Sequence, residues 1–263
     1  MLLAIDIGNT SISCGVFNLD NGKILHSFKL ASDISRTSDE YISLIYSMFW
    51  ANGIKKEDFS GGIISSVVPM LTHKMCECAE KIIGKKPKVV GPGLKSGFSI
   101  KIDNPAELGA DMVANTAAVI SLMGDDISHA IIIDMGTATT LSALTNKKEY
   151  IGSCILPGVK VALDSLHIET AQIPSVAPAG INKAIGKNSG EAVRSGVILG
   201  NAIMIDGFID KFEKEMKIDL GSAKIFVTGG LAPVVFSHIE RKFEYFENLT
   251  LLGLYFIYKN NTK

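Results

Sequence analysis

An acidic residue followed by glycine and small polar residues stands where the first apolar stretch of this chain ends. Five apolar residues lead into Asp6, and Gly8, Asn9, Thr10 and Ser11 follow. Glycine lets backbone N–H groups approach a ligand closely, and hydroxyl and amide side chains add donors without bulk. A carboxylate at the end of a strand can hold a hydrated Mg²⁺ ion. The stretch therefore fits a phosphate-binding hairpin, although an ordinary strand and turn explains it equally well.

The same arrangement occurs a second time in residues 130–140, AIIIDMGTATT, where an apolar run leads into Asp134, Gly136 and Thr137. Both copies fit the pattern strand-D-x-G-x-T, and each one opens a half of the 263-residue chain. The repeat favours two related domains that clamp a ligand between similar hairpins. Residues 224–230, KIFVTGG, predict a third strand that ends in small residues, against which a nucleotide base or ribose is expected to lie.

A lone carboxylate, Asp111, lies in an otherwise apolar stretch. Asn104 as the N-cap, Pro105 as the first helical residue and Glu107 at the capping-box spacing predict a helix that runs to about Met123. Asp111 would then lie nearly two turns inside this helix. Because an unpaired buried carboxylate is costly, either a partner satisfies it or it acts in a wet cleft. The acceptor hydroxyl of a phosphoryl transfer needs one oriented carboxylate, and we favour this role.

A second candidate for anion binding is Ser189, which is predicted to cap a long helix from Glu191 to about Met216. A hydroxyl at a helix N-terminus can help to hold an anion, and the alternative is a cap alone. Gly196 and Gly200 inside this helix suggest a close approach by another backbone, from a neighbouring helix or from a second subunit.

The composition excludes several classes of protein. With 47% hydrophobic residues and 20% charged residues, the chain can bury a sizeable core, and its net charge of −1 gives no electrostatic footprint for nucleic acid. No run approaches the ~18 apolar residues of a membrane span, and no signal peptide is recognised, so we expect a cytoplasmic protein without a membrane partner. Cys76 and Cys78, with His73 nearby, lack the two separated pairs of a zinc site and are interpreted as reduced structural thiols.

The hydrophobic patterns predict a mixed α/β protein, because strands come first and strands then alternate with helices. The expected halves are residues 1–123 and 124–263, with residues 91–102 and 172–188 as irregular segments. Strands are predicted at 12–17, 23–30, 61–68, 87–90, 130–134, 140–145, 150–156 and 224–230, and helices at 38–52, 71–83, 105–123, 159–166 and 191–216.

Taken together, six motifs in this order and spacing resemble the type III pantothenate kinases. This family belongs to the actin-like ATPase superfamily, with acetate and sugar kinases, and its fold consists of two ribonuclease-H-like halves with mixed sheets flanked by helices. The motifs are D-x-G-N-T at Asp6–Thr10, D-N-P-x-E-x-G-A-D at Asp103–Asp111, D-M-G-T-A-T-T at Asp134–Thr140, G-x-x-x-x-P-G at Gly152–Gly158, G-K-N-S at Gly186–Ser189 and T-G-G at Thr228–Gly230.

The resemblance implies ATP-dependent phosphorylation of pantothenate at its terminal hydroxyl, the first step towards coenzyme A, by a homodimer with its site near the subunit interface. It implies Asp111 as the proton acceptor, Asp6 near magnesium and Asp134 as the ligand of a monovalent cation, K⁺ or NH₄⁺. The implied ATP-binding residues are Asp6, Ile7, Gly8, Asn9, Thr10, Ser11, Ile12, Ser13 and Thr137. The implied pantothenate-binding residues are Gly109, Ala110, Asp111, Met112 and Ser189.

Met112 is the main departure from the family pattern, which usually has arginine at this position. A thioether cannot replace a cation near an anionic substrate. Either Lys95, Lys101 or Lys187 compensates, or the affinity for pantothenate is reduced or the substrate differs. The family also usually has threonine where this chain has Ser189, and many members have tyrosine where it has Ile102. Two alternatives therefore stay open: a nucleotide-binding or pantothenate-binding regulator without turnover, and a kinase for another small hydroxylated metabolite.

Overall fold

The structure is a computed structural model that describes residues 1–181 and 183–262. Asn182, in the segment 172–188 predicted to be irregular, and Lys263 lie outside the described residues. The strands are β1 (Leu2–Ile7), β2 (Ser11–Phe17), β3 (Ile24–Ala31), β4 (Gly61–Ser66), β5 (Lys88–Val89), β6 (Ser99–Ile100), β7 (Ala130–Met135), β8 (Ala138–Leu144), β9 (Glu149–Pro157), β10 (Lys224–Thr228) and β11 (Glu244–Tyr245). The helices are α1 (Ser38–Ala51), α2 (Pro69–Ile83), α3 (Ala110–Met123), α4 (Val159–Ile168), α5 (Ser189–Glu215), α6 (Ala232–Val235) and α7 (Leu249–Asn260), and short 3₁₀ turns lie at Lys56–Asp58, Pro105–Glu107 and Phe236–His238.

The chain forms two compact units. Unit 1 contains Met1–Phe98, Asp103–Gly124 and the segment that begins at Leu249, and unit 2 contains Ser99–Ile102 and Asp125–Asn248. These units differ from a simple division between residues 123 and 124, because the C-terminal helix α7 packs in unit 1 and β6 pairs with β9 in unit 2.

Unit 1 is built on a five-stranded sheet with the order β3-β2-β1-β4-β5. The first three strands are antiparallel neighbours, whereas β4 lies parallel to β1 and β5 lies parallel to β4. Alternate side chains of a strand point to opposite faces, so each strand contributes to two layers of core. On one face Ile5, Ile7 and Ile64 pack with residues of α1 and α2. On the other face Ala4 and Ile63 pack with residues of α3 and α7.

The contact between α3 and α7 completes the second of these layers, and α7 has no counterpart among the helices predicted from the sequence. The two helices approach closely at Gly253, where a Cβ atom would overlap the carbonyl oxygen of Ala114. Leu254 and Ile257 of α7 are fully buried in the same core. The last residues of the chain therefore close the core that its first strand opens.

Unit 2 repeats the arrangement of unit 1 in a six-stranded sheet with the order β11-β10-β7-β8-β9-β6. As in unit 1, the first two strands form an antiparallel hairpin and the central strand has a parallel neighbour, here β10. The alternation of buried and partly buried residues in β7 and β8 is identical to that in β1 and β2. Helices α4, α5 and α6 pack their apolar residues against one face. The repeat seen in the sequence is thus a repeat of structure.

Helix α5 has 27 residues and is, by length and composition alone, long and apolar enough to cross a membrane. A core helix passes the same test, and Val197, Ile198 and Ile205 of α5 are buried in the core of unit 2. Apart from the adjoining residues and the nearby backbone of α5 itself, no described atom lies within 4 Å of a Cβ atom placed on Gly196 or Gly200. The expectation that a neighbouring helix of this chain approaches these glycines is therefore wrong, and a second subunit is the explanation that stays open.

We predict that Gly253→Ala destabilises the protein by about 1–3 kcal/mol, because the added methyl group forces α7 away from the α3 backbone. The matched control is Gly207→Ala in α5, where no described atom lies within 4 Å of the new Cβ atom. This control should gain about 0.5–1 kcal/mol, since alanine favours the helix. Urea unfolding measures both changes, and equal stability of the two variants would contradict the close packing.

Candidate active site

The hairpin between β1 and β2 carries the first group of expected ligand-binding residues. The Gly8 N–H donates to the carbonyl oxygen of Ser11 at 3.0 Å and closes the turn. Ser32, just after β3, donates from its Oγ atom to the Gly8 carbonyl oxygen at 2.6 Å and from its N–H to the Thr10 carbonyl oxygen at 3.1 Å. Asn9 and Thr10 are exposed. The turn is thus anchored from a third strand while its tip faces solvent.

The side chains of residues 6–13 do not all face the same surroundings. Ile7 and Ile12 are fully buried in the core beneath α1 and α2, so any contact they make with a ligand comes from backbone atoms. Asp6, Ser11 and Ser13 are partly exposed. The polar side chains of the hairpin are therefore separated from its apolar ones by the alternation of the strands.

A row of polar residues crosses three neighbouring strands of unit 1. Asp6 in β1 is in register with Ser13 in β2 and with Ser65 in β4. Two positions earlier, Ala4 and Ile63 pack in the core that contains α3 and α7. Because side chains alternate along a strand, the row formed by Ser13, Asp6 and Ser65 lies on that same face. Ser65 belongs to no motif in the sequence, and its only signal is an apolar strand that ends in serine.

Asp111 lies in the first turn of α3, and its predicted place two turns inside a longer helix is wrong. Asn104 caps only the short 3₁₀ turn Pro105–Glu107, with its Oδ1 atom accepting from the Ala106 N–H at 3.2 Å. Leu108 and Gly109 then adopt extended backbone angles, so a second helix begins at Ala110. The carboxylate consequently stands at the positive end of the α3 dipole, where a negative charge is favoured.

The surroundings of Asp111 differ from those of a structural ion pair. Its side chain is half-buried, and its Oδ1 atom accepts a hydrogen bond from the Met112 N–H at 2.8 Å. Burial raises the pKa of the Asp111 carboxyl, and the Met112 hydrogen bond opposes this effect only in part. In residues 1–181 and 183–262, no lysine, arginine or histidine forms a salt bridge with Asp111.

The N-terminus of α3 lies at the same end of the sheet as the first hairpin. The Val67 N–H continues the parallel pairing by donating to the Ile7 carbonyl oxygen at 3.0 Å. A Cβ atom on Gly109 would lie 3.8 Å from the Val67 Cγ1 atom and 2.5 Å from the Asp111 Oδ1 atom. Unit 1 therefore brings Asp111 and the hairpin that carries Asp6 to the same end of its sheet. Gly109 leaves the space that the carboxylate occupies.

The second hairpin, between β7 and β8, has the same closure, since the Gly136 N–H donates to the Ala138 carbonyl oxygen at 3.0 Å. Two glycines pack against its backbone. A Cβ atom on Gly158 would overlap the Thr137 carbonyl oxygen, and one on Gly229, where φ is +101°, would lie 2.5 Å from the Met135 nitrogen. The motifs that contain Gly158 and Gly229 therefore lie directly against the hairpin in unit 2.

The second hairpin also has its own row of polar residues. Asp134 in β7 is in register with Thr140 in β8 and Thr228 in β10, which is the pattern of Ser13, Asp6 and Ser65.

Carboxylate and hydroxyl oxygens suit hard cations such as Mg²⁺ and K⁺. No group of three or more His, Cys, Asp or Glu side chains suited to a metal occurs within residues 1–181 and 183–262. A single carboxylate with phosphate oxygens and water is a normal magnesium site, so the residues present fit this ion.

Ser189 is not the cap of α5, contrary to the sequence-based prediction. The cap is Asn188, whose Oδ1 atom accepts from the Glu191 N–H at 2.9 Å, and Ser189 is the first helical residue. Asparagine has a short side chain that reaches the second or third N–H of a helix, so the cap lies one residue earlier than predicted and the helix begins at Ser189, two residues before the predicted start at Glu191. Ser189 is exposed at the end of α5.

The described cysteines agree with structural roles. Cys76 and Cys78 are free thiols on α2, and burial raises the pKa of Cys78 to about 12. A thiol with a raised pKa is a poor nucleophile and a poor metal ligand at neutral pH.

Two mixed sheets flanked by helices, each with an aspartate-bearing hairpin, have the actin-like ATPase and sugar kinase fold. Three solved structures are similar to this chain: a conserved putative Baf family transcriptional activator from Campylobacter jejuni (17% identity, 98% of each chain, TM-score 0.61), the (R)-2-hydroxyglutaryl-CoA dehydratase component A from Acidaminococcus fermentans (13%, 99% of each chain, 0.55) and Lmo2764, a putative N-acetylmannosamine kinase from Listeria monocytogenes (14%, 99% of each chain, 0.53). At these identities the likeness concerns the fold alone.

The sequence comparisons identify the family within this fold. A family model described as type III pantothenate kinase matches residues 2–211. A type III pantothenate kinase from Exiguobacterium sp. is 36% identical over 263 residues and is covered completely, as is this chain. The chain belongs to the type III pantothenate kinase family.

We predict that Asp111→Asn stabilises the fold at neutral pH. Because burial raises the pKa of Asp111 in the folded state, the ionised carboxylate opposes folding once the pH exceeds the ordinary carboxyl range. The stability gained by the variant should therefore grow as the pH rises above the ordinary carboxyl pKa, and it should level off once the pH exceeds the raised pKa of the folded state. Urea unfolding at a series of pH values measures this gain. Asp125→Asn, at an exposed residue, is the control, and a gain independent of pH at Asp111 would contradict the argument.

Proposed function

We propose that this protein transfers the terminal phosphoryl group of ATP to the terminal hydroxyl of pantothenate. The product is 4'-phosphopantothenate, and the reaction is the first step of coenzyme A biosynthesis. Membership of the family supports a kinase, for which ATP with a divalent metal is the expected cosubstrate. The proposal depends on the position of Asp111. Its carboxylate is half-buried, has no ion-pair partner among the described residues and lies at the end of the sheet where the first hairpin turns.

The first hairpin is assigned to the phosphates of ATP. Its backbone N–H groups and the side chains of Asn9, Thr10, Ser11 and Ser13 would supply the donors, and Ile7 and Ile12 would contribute backbone atoms only. The exposed turn agrees with this role, because a ligand can reach it without rearrangement of the core. In unit 2, Thr137 at the second hairpin is assigned a contact with ATP.

Asp111 is assigned the role of proton acceptor. As the pantothenate hydroxyl oxygen forms its bond to the γ-phosphorus, the bond to the leaving ADP oxygen breaks and the hydroxyl proton passes to the Asp111 carboxylate. A loose transition state demands little basicity, and a pKa raised by burial makes this carboxylate a better base than one in water.

Two cations complete the proposed site. Asp6 would hold Mg²⁺ together with the nucleotide phosphates, and Asp134 would hold a monovalent cation, K⁺ or NH₄⁺. The hydroxyl residues in register with each aspartate supply further oxygen atoms of the type that these ions prefer. These ions would neutralise charge on the transferred phosphoryl group.

Pantothenate is assigned to Gly109, Ala110, Asp111, Met112 and Ser189. We also propose a homodimer in the cytoplasm, in which the second subunit approaches the open glycines of α5.

Of the lysines considered as substitutes for the missing arginine, Lys101 forms an exposed salt bridge with Glu149 at 3.8 Å within unit 2. An exposed pair of this kind is weak, so it does not prevent Lys101 from acting on an anion.

We predict that Asp111→Asn lowers kcat by about 10²–10⁴-fold while leaving ATP binding unchanged, since the amide keeps the shape of the side chain and cannot accept the proton. A coupled ADP-release assay measures kcat, and titration calorimetry measures ATP affinity. Near-normal turnover of the variant would refute the assigned role.

We predict that Met112→Arg lowers the KM for pantothenate by about ten-fold, the order expected for one charge-assisted hydrogen bond, with little effect on kcat. The control is Met112→Leu, which keeps an apolar side chain and should leave KM close to its original value. If arginine and leucine give the same KM, the pocket does not place residue 112 near the carboxylate of the substrate.

The same ADP-release assay separates the proposal from its alternatives. Activity that requires pantothenate, magnesium and potassium supports the kinase, and omission of potassium tests the role of Asp134. Binding of ATP without turnover would favour a regulator on the same scaffold. Turnover with a different hydroxylated acceptor would favour another metabolite kinase.

A further inference from the structure

Ser65 is a polar residue that is buried beside the apolar core of unit 1. Its side chain is fully buried, and its Oγ atom has no hydrogen-bond partner in the part of the chain that the structure describes. The great majority of buried hydroxyl groups are hydrogen-bonded, because an unpaired one has lost its water without compensation. A serine in this state is explained by a partner outside the protein chain, either a water molecule or a ligand.

The position of Ser65 identifies where that partner would be. Ser65 is the register partner of Asp6 on the neighbouring parallel strand, and both side chains lie on the sheet face that α3 covers. Neighbouring strands lie about 4.8 Å apart, so a group held by the Asp6 carboxylate is within reach of the Ser65 hydroxyl. On this face of β4 the residue before Ser65 is Ile63, which is apolar and fully buried, so on this face the hydroxyl occurs at the level of the aspartate.

The second half of the molecule repeats this pairing. Thr228, at the end of β10, is the register partner of Asp134, as Ser65 is of Asp6, and it is also buried. Residues 225–227 before it are apolar. In both units a hydroxyl residue therefore stands beside the hairpin aspartate on the adjacent parallel strand.

We propose that Ser65 is a positioning residue of the nucleotide site, whose hydroxyl donates a hydrogen bond to a water molecule that Asp6 holds around the magnesium ion of bound ATP. This inference rests on the proposed function, in which Asp6 carries that ion. Magnesium keeps several of its waters when it binds a protein through one carboxylate, and such waters need oriented partners. Ser65 acts through the water and does not touch the reacting atoms.

Ser66 provides a matched control, because it is the next residue in the chain and its hydroxyl is already used by the fold. Its Oγ atom accepts from the Val68 N–H at 3.1 Å and from the Thr72 hydroxyl at 2.7 Å, at the beginning of α2. It is the register partner of Ile7, whose side chain lies on the opposite face from Asp6. Ser66→Ala should therefore lower stability and leave the nucleotide site intact.

The test compares Ser65→Ala with Ser66→Ala in two measurements. The affinity for Mn²⁺ with ATP, in the absence of pantothenate, is measured by electron paramagnetic resonance of Mn²⁺. The free energy of unfolding without nucleotide is measured in urea. We expect Ser65→Ala to weaken Mn²⁺–ATP binding by about ten-fold, in the range found for groups that orient metal ligands, and not to lower stability. We expect Ser66→Ala to show the reverse.

The outcomes separate this inference from the function on which it rests. If the unaltered protein binds no Mn²⁺–ATP, the proposed function itself fails. If it binds Mn²⁺–ATP and Ser65→Ala binds equally well, the proposed function stands and the role of Ser65 is overturned. A loss of stability in Ser65→Ala with unchanged binding would likewise assign Ser65 to packing. In the complete reaction, we expect the magnesium concentration for half-maximal rate to rise in Ser65→Ala, while the KM for pantothenate stays unchanged.

Discussion

The parallel pairing of β1 with β4 is the contact on which the site in unit 1 depends. Its register places Ser65 beside Asp6. Just after β4, the Val67 N–H donates to the Ile7 carbonyl oxygen and continues the pairing. Val67 in turn lies against Gly109, from which α3 begins. A shift of this register by one residue would turn Asp6 towards the apolar layer beneath α1 and α2. The many buried aliphatic residues on both faces make such a shift very costly, so the core also fixes the geometry of the polar row.

Unit 2 repeats this arrangement, so the two units can be compared feature by feature. Both units keep the antiparallel hairpin, the aspartate at its end and a hydroxyl residue on the parallel neighbour. They differ in their supports: Ser32 anchors the first hairpin, whereas Gly158 and Gly229 press against the second. Each unit thus carries its own copy of the same element, an aspartate-bearing hairpin with a hydroxyl residue beside it.

Asp111 is a carboxylate whose burial opposes folding when it is ionised. Burial makes the ionised form of its carboxylate unfavourable, and the α3 dipole and one backbone N–H compensate only in part. A core residue of the same size would be more stable here. A carboxylate that is compensated only in part suits the proton acceptor that we propose, and Gly109 leaves the space that it occupies.

The sequence by itself was enough to determine many of the local elements and the duplication, because apolar alternation and turn residues are short-range signals. The hairpins at Asp6 and Asp134, the strand 224–228 and the long helix that became α5 all follow from such patterns. The resemblance to the kinase family also came from short motifs, and the comparisons bear it out.

Only the tertiary structure decided what depends on contacts between distant residues. Helix α7 joins unit 1 because Gly253 meets α3, and β6 joins the sheet of unit 2 because its backbone pairs with β9. The break at Leu108–Gly109 moved Asp111 into a first helical turn, although the Asn104–Glu107 signal was correct for a 3₁₀ turn. Ser65 acquired its meaning only from its neighbour across β1, since strand register is set by packing over the whole sheet and has no signature in a single strand.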